Sequence, residues 1–283
     1  MKRTKIPQTA DGPPVGPAPC DKGATPERRS QRRTFKSFQA EFDFSLKAIC
    51  TRMLERHRDT IRTQKPHVAV ARLMRIIQTT LTLANRKGFH SMSLRDLATE
   101  SGLSMGALYT YFDTKETLLM MILGEVSSAV SQTLGSPPVH LTDDPAERLH
   151  WLLETHVYLT EVMQPWFVFA YMEAKAFPKE GREKATKSEL STESMIADAL
   201  ADGVERGLFS IDDLEMTASL IKPLLQDWYV KRSKYRRRGV SPEQYVQAVT
   251  EFVGTAIRCR SDPKAVKSGR SNQRSEPAAA ESS

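Results

Sequence analysis

The sequence predicts an all-α protein: a small N-terminal domain built on a helix-turn-helix, and a larger helical domain behind it. Three observations carry this prediction. From Phe42 onward apolar residues recur at spacings of three and four, the period of one helix face. Strand-like alternation is absent. The breaks fall at proline, glycine and short polar clusters, for example Ser136-Pro137-Pro138, Gln164-Pro165, Phe177-Pro178, Gly207 and Gly239 to Pro242, which suits helix ends.

Residues 1–37 are rich in Pro, Gly, Lys and Arg and poor in large apolar residues, so they are expected to form a disordered basic tail. Within 38–66 an extra helix is expected at 38–63. Phe42, Leu46, Ile49 and Met53 mark its stripe and Pro66 its end. The charge is concentrated here. Residues 1–66 hold 15 Lys or Arg against 7 Asp or Glu, whereas the rest balances at 26 against 27, within a net charge of +7. Such a bias permits an anionic partner without requiring one. The N-terminus has no apolar core of a secretory signal, and no run of about 18 apolar residues appears. Cys20, Cys50 and Cys259 are scattered with no CxxC, which points to a reducing, cytoplasmic setting and away from a disulfide scaffold.

A helix is expected over 68–87, its stripe formed by Val70, Leu73, Ile77, Leu81 and Ala84. Arg86 and Lys87 suit its negative end, Gly88 its left-handed C′ position, and Phe89 a fold-back on Leu83 or Ala84. Ser93, with Asp96 three residues on, opens a short helix with Leu94, Leu97 and Ala98 on one face. Gly102 breaks it, and Ser104 caps the next. Two short helices joined by a glycine turn make a helix-turn-helix. The front of the second is slim (Ser104, Met105, Gly106, Ala107), which lets a helix end seat deeply in a major groove. Tyr109 and Tyr111 bring hydroxyls, and Lys115 a charge beside a helix N-terminus that favours anions.

This stretch resembles the DNA-binding domain of the tetracycline-repressor (TetR/AcrR) family of bacterial transcription regulators. The matching residues are Gly88-Phe89, Ser93-Leu-Arg-Asp-Leu-Ala98, Ser101-Gly-Leu-Ser104, Gly106-Ala-Leu-Tyr-Thr-Tyr-Phe112, Lys115-Glu116 and Leu118-Leu119. The resemblance assigns 67–115 to DNA binding and 116–260 to effector binding and dimerisation. By position, Tyr109 and Lys115 are expected to hold phosphates. Met105, Ala107, Thr110 and Tyr111 are expected to face the groove, and Ser93 and Arg95 to touch backbone at its edge. Family members usually begin near the first helix of this domain. The 38–63 helix is therefore additional, with three roles open to it: extending the dimer, covering the effector domain, or binding DNA.

In the larger domain, helices are expected at 115–133, 144–163, 165–176, 185–206, 212–232 and 242–259, followed by a loose tail at 261–283. Pro165 to Phe177 is apolar all round, as in a helix buried on several sides. Trp166, Phe169, Tyr171 and Met172 are candidate cavity residues, ordinary core being the other reading. The last two helices are expected, by resemblance, to form a four-helix bundle with those of a second subunit. Six positive charges in Lys231 to Arg238 form either a solvated loop or a site for a phosphate-bearing ligand such as a coenzyme A thioester. The segment from Glu173 to Lys184 looks like a lipid- and acyl-CoA-responsive branch of the family. His150 and His156 lie six apart, which is not a shared-face metal spacing, so no metal site and no cofactor are expected.

The function so implied is a homodimeric, ligand-responsive regulator, most often a repressor, released from a palindromic operator by a small effector. Its partners are double-stranded DNA, a second copy and that effector, with no membrane. The alternative is an activator, or a less specific DNA binder using the basic arm. An enzyme is not expected, because no Gly-rich phosphate loop, GxSxG or HExxH is present.

Overall fold

The computed structural model describes residues 33–61 and 65–257. Most of the expected N-terminal tail, and the C-terminal tail at 261–283, lie outside the described residues. Twelve α-helices are described, and every described element is helical.

The segment ahead of the helix-turn-helix forms two helices where the sequence predicts one. α1 (Phe35–Glu41) starts inside the stretch assigned to the tail, and α2 (Leu46–Arg56) follows a four-residue break. The break has a local cause. Phe42 is extended, Asp43 accepts a hydrogen bond from Ser45 N–H (2.9 Å), and Ser45 caps α2 by accepting from Ala48 N–H. Extended backbone there turns Phe44 inward beside Phe38 and Phe42. Pro66 does not end this segment. It occupies the first turn of α3 (Pro66–Lys87), where its missing N–H costs nothing.

α1 packs on a helix of the large domain, while α2 lies along α3 and touches α6 (Lys115–Leu134). Arg56 pairs with the buried Glu125 of α6 and donates to Ser128 Oγ at 3.0 Å. Arg33 bonds Glu154 (3.1 Å) and Thr155 of α7 (Pro145–Val162). The extra segment therefore braces the small domain against the large one.

α7 is the centre of the large domain. Trp151 to Thr160 is buried on every side, although it includes Glu154, Thr155, His156 and Thr160. The sequence leads to an expectation of burial on several sides for the Pro165–Phe177 segment. Instead this segment forms α8 (Gln164–Met172) and a 3₁₀ turn at Ala174–Ala176, with Tyr171 44% and Met172 58% exposed. α9 (Lys179–Glu205), α10 (Leu214–Val230), α11 (Arg232–Arg237) and α12 (Pro242–Ile257) complete the domain. α6 is long and apolar enough to cross a membrane by length and composition. In this fold 61% of its most apolar window is buried as core.

Candidate nucleic-acid interface and effector cavity

α4 (Leu94–Ser101) and α5 (Met105–Leu108) form the helix-turn-helix. Ser93 closes a capping box with Asp96, accepting from Asp96 N–H at 3.1 Å while Asp96 Oδ2 accepts from Ser93 N–H at 2.8 Å. Lys87 reaches the same carboxylate at 2.7 Å, and Arg86 pairs with Glu100, so the end of α3 is tied to α4. The Lys87 ammonium, then the Ser93 bonds, hold the Asp96 carboxyl well below the usual carboxylate range. Gly102 caps α4 in the left-handed region (φ +62°), and Leu103 N–H returns to Ala98 O at 3.1 Å. Ser104 then caps α5, accepting from Ala107 N–H at 3.1 Å.

The expected DNA-facing residues divide. Ser93, Arg95, Ser104 and Tyr109 are exposed, and Met105, Ala107 and Thr110 partly so. Thr110 spends its hydroxyl hydrogen on Ala107 O at 2.7 Å. Tyr109 is 47% exposed with its ring outward. Two expectations are corrected. Tyr111 does not face a groove: it is fully buried beneath α3, its hydroxyl donating to Ala69 O at 3.3 Å. It lies in the turn after α5, where its N–H donates to Leu108 O at 2.8 Å and the chain turns its ring toward α3. Lys115 is not a free cation awaiting phosphate. Its ammonium donates to the carbonyls of Phe89, His90 and Met92 at 3.2, 2.9 and 3.1 Å, and lies 5.1 Å from the Phe89 ring. It clamps the turn that follows α3.

Phe89 also departs from the expected fold-back. Gly88 has φ +82° but an extended ψ of 143°, which aims Phe89 across to α8. There its ring meets Phe169 edge-on at 5.4 Å and Phe177 at 6.2 Å, and its N–H donates to Glu173 Oε2 at 2.7 Å.

The other side of α8 faces a cavity of about 420 Å³ between α6, α7, α8, α9 and α10, within the roughly 300–1,000 Å³ usual for ligand pockets. Tyr171 and Met172 are among its lining residues. Trp166 and Phe169 are not: both are buried, and Phe169 serves the Phe89 contact instead. Sequence reasoning missed Phe167, Tyr229, Glu189, Gln226, His156 and Lys222. A signal existed for one of them, since Lys222 interrupts an apolar stretch of α10 beside Pro223. Lys222 is 6% and His156 2% exposed, with Nζ and Nε2 3.2 Å apart. Burial pulls Lys222 down to about 8 against the attraction of Glu189 and Glu193. Burial, then the neighbouring ammonium, hold His156 well below its usual range, so its imidazole is neutral.

The basic segment after α10 is helical, not a loop, and much of its charge is spent. Arg232 makes two bonds to Glu161 (2.7 and 2.9 Å) and lies over Trp228, while Lys231 and Lys234 pair with Asp227. Arg236, Arg237 and Arg238 remain exposed.

Two family models match the chain: "Bacterial regulatory proteins, tetR family" over residues 76–120, and "Tetracyclin repressor-like, C-terminal domain" over 142–255, together more than half its length. Among curated proteins it is 28% identical over 138 residues to the HTH-type transcriptional repressor KstR of Mycobacterium tuberculosis, covering 47% of this chain and 60% of that protein. The chain spans between half and three-fifths of the length of the KstR proteins it matches. Among solved structures it resembles a tetR-family bacterial regulatory protein from Rhodococcus RHA1 (TM-score 0.57, 20% identity, 66% of this chain and 96% of that one). It also resembles the ketosteroid transcriptional regulator KstR2 of Mycobacterium tuberculosis (TM-score 0.52, 20% identity, 65% and 91%).

Proposed function

Because the chain belongs to the tetR family of bacterial regulatory proteins, we propose that it is a ligand-responsive repressor that binds a palindromic operator as a homodimer. The observation that carries this reading is the two-sided role of α8. Its Tyr171 and Met172 line the cavity, while Phe169 and the adjoining Glu173 grip Phe89 at the end of α3. A ligand that moves α8 therefore moves the base of the helix-turn-helix. Its effect is limited to its differential affinity for the two positions.

The exposed front of α5, with Tyr109 and Arg95 at its edges, suits a major groove with flanking phosphates. Met216 and Leu220 on α10 and Phe252 on α12 leave apolar side chains more than half exposed, which supports a second copy packed there. A dimer so formed spaces its two recognition helices one helical turn apart, roughly 34–36 Å. The apolar part of the cavity lining, with Leu123, Val126, Val130 and Phe167, supports a small lipid-like effector. An acyl-CoA has weaker support, because Lys231, Arg232 and Lys234 of the basic segment are spent on Asp227 and Glu161.

Selection of bound DNA from a random pool tests the proposal, with Tyr109→Phe and Arg95→Ala proteins run beside wild type. The expected result is an enriched palindrome that both variants bind more weakly. Binding without sequence preference, lost when residues 1–32 are removed, would replace this reading with an electrostatic arm.

A further inference from the structure

Lys222 is an unusual residue to bury in the wall of a cavity. Its ammonium is buried, and a buried charge is tolerated only when paired and hydrogen-bonded. Among the described residues no carboxylate lies within ion-pair distance of Nζ, and its one hydrogen-bond partner is His156 Nε2. An ammonium carries three N–H donors, so two are unspent. The charged and titratable groups around it come from α7, α9, α10, α8 and the 3₁₀ turn after α8. α7 supplies His156. α9 supplies Glu189 and Glu193, whose carboxylates are held away by Gln226 (2.6 Å) and Ser219 (2.7 Å). α10 itself supplies Tyr229, while Tyr171 and Lys175 lie at the α8 side of the cavity. His156 adds a second loose end. Its Nε2 accepts from the ammonium, which leaves the ring hydrogen on Nδ1, and that atom is buried without a partner among the described residues. The rest of the wall is mixed: Leu123, Val126, Val130, Phe167 and Ala170 are apolar, while Ser127, Thr186, Ser188 and Thr192 carry hydroxyls.

We propose that Lys222, set by His156, is the anion-recognition point of this cavity, and that the effector is an apolar monocarboxylate whose oxygens accept the unspent N–H groups. The inference rests on the reading of the cavity as the effector site. A carboxylate completes what the fold leaves open: it gives the ammonium a contact counter-ion and accepts two charge-assisted hydrogen bonds. Glu189 and Glu193 act at longer range, keeping the lysine charged in the empty cavity without blocking contact. A neutral ester of the same body offers an acceptor but no counter-charge, so the site discriminates between the two. Because the ammonium is short of its usual basicity when unliganded, binding of a carboxylate is also linked to proton uptake above about pH 8.

The test uses the full chain, with decanoate, dodecanoate and naphthoate each beside its methyl ester, followed by titration calorimetry in buffers of different ionisation enthalpy. Wild type is expected to bind at least one acid roughly tenfold or more tighter than its ester, with proton uptake at alkaline pH. The linear and ring-bearing acids report the shape of the apolar body. Lys222→Met is expected to fold, to keep ester binding, and to bind acid and ester about equally. Lys222→Arg, which restores charge, is expected to recover part of the preference. Equal binding of acid and ester by wild type overturns the proposal, as does a preference that survives Lys222→Met, or failure of every probe to bind. Operator binding by the same samples is read in parallel, so loss of the carboxylate inference leaves the regulator reading standing, and the reverse.

Discussion

Lys115 separates two accounts of the helix-turn-helix, because one expects it on a phosphate and the other in the turn. Replacing it by methionine keeps the apolar stem and removes the ammonium. The structure assigns that ammonium three carbonyl acceptors, on Phe89, His90 and Met92, and a place near the Phe89 ring. A hydrogen bond to a charged group contributes about 1.5–3 kcal/mol net in a buried setting. Lys115 is only half-buried, and water replaces part of what is lost at an open turn, so the three bonds do not add. A total of about 1–3 kcal/mol is expected, a fall in Tm of about 3–10 °C for a domain of this size. Thermal unfolding by circular dichroism measures it. Operator affinity, measured well below Tm over a range of salt, is expected to weaken only through the loosened turn. The slope of log K against log salt should then stay unchanged, whereas loss of a phosphate contact lowers it by about 1. An unchanged Tm together with a slope reduced by about 1 would refute the turn-clamp account and restore the phosphate role.

Three further outcomes follow from the same geometry. Gly102→Ala places a Cβ 2.6 Å from Arg75 Nη2 at φ +62°, so it strains the turn and displaces the Arg75 bond to Ser101 O. A loss of about 1–2 kcal/mol and weaker operator binding are expected, and a Tm matching wild type would sink this. Lys222 titrates near 8 in the fold against 10.5 for an ordinary lysine. Between those values the unfolded chain holds a proton that the folded chain has released, so stability rises with pH across that window, by up to about 3 kcal/mol. Urea unfolding of wild type minus Lys222→Met should show that rise, with the methionine variant the more stable below pH 8; a flat difference curve contradicts it. Burial, then Glu125, push the Cys50 thiol up to about 12. In a Cys20→Ser, Cys259→Ser background, native protein should therefore resist thiol reagents at neutral pH and react on unfolding. Stoichiometric labelling of the folded chain within minutes would contradict this burial.

The brace formed by α1 and α2 shows where reading by pattern stops. Phe42, Leu46, Ile49 and Met53 hold helical spacing across a break that only Asp43 and Ser45 reveal. Ser45 sits inside a continuous apolar stripe, so spacing alone gives no sign that it caps a new helix. Conversely, Trp151 to Thr160 carries too many polar residues to announce itself as the centre of a domain. Its burial follows from packing by α6, α9, α10 and α12 around it.

The sequence by itself determined most of the helices, the glycine turn at Gly102, the caps at Ser93 and Ser104, and the outward place of Tyr109. Those features depend on hydrogen bonds and periodicities that span at most four residues, so neighbours along the chain suffice to specify them. Tertiary structure alone decided that Tyr111 turns inward, that Lys115 clamps a turn, that Phe89 reaches α8, and that Phe169 faces it rather than the cavity. It also brought Lys222 to His156 across 66 residues. A side chain's partner in such cases is set by which helix covers that face, and short-range pattern carries no record of it.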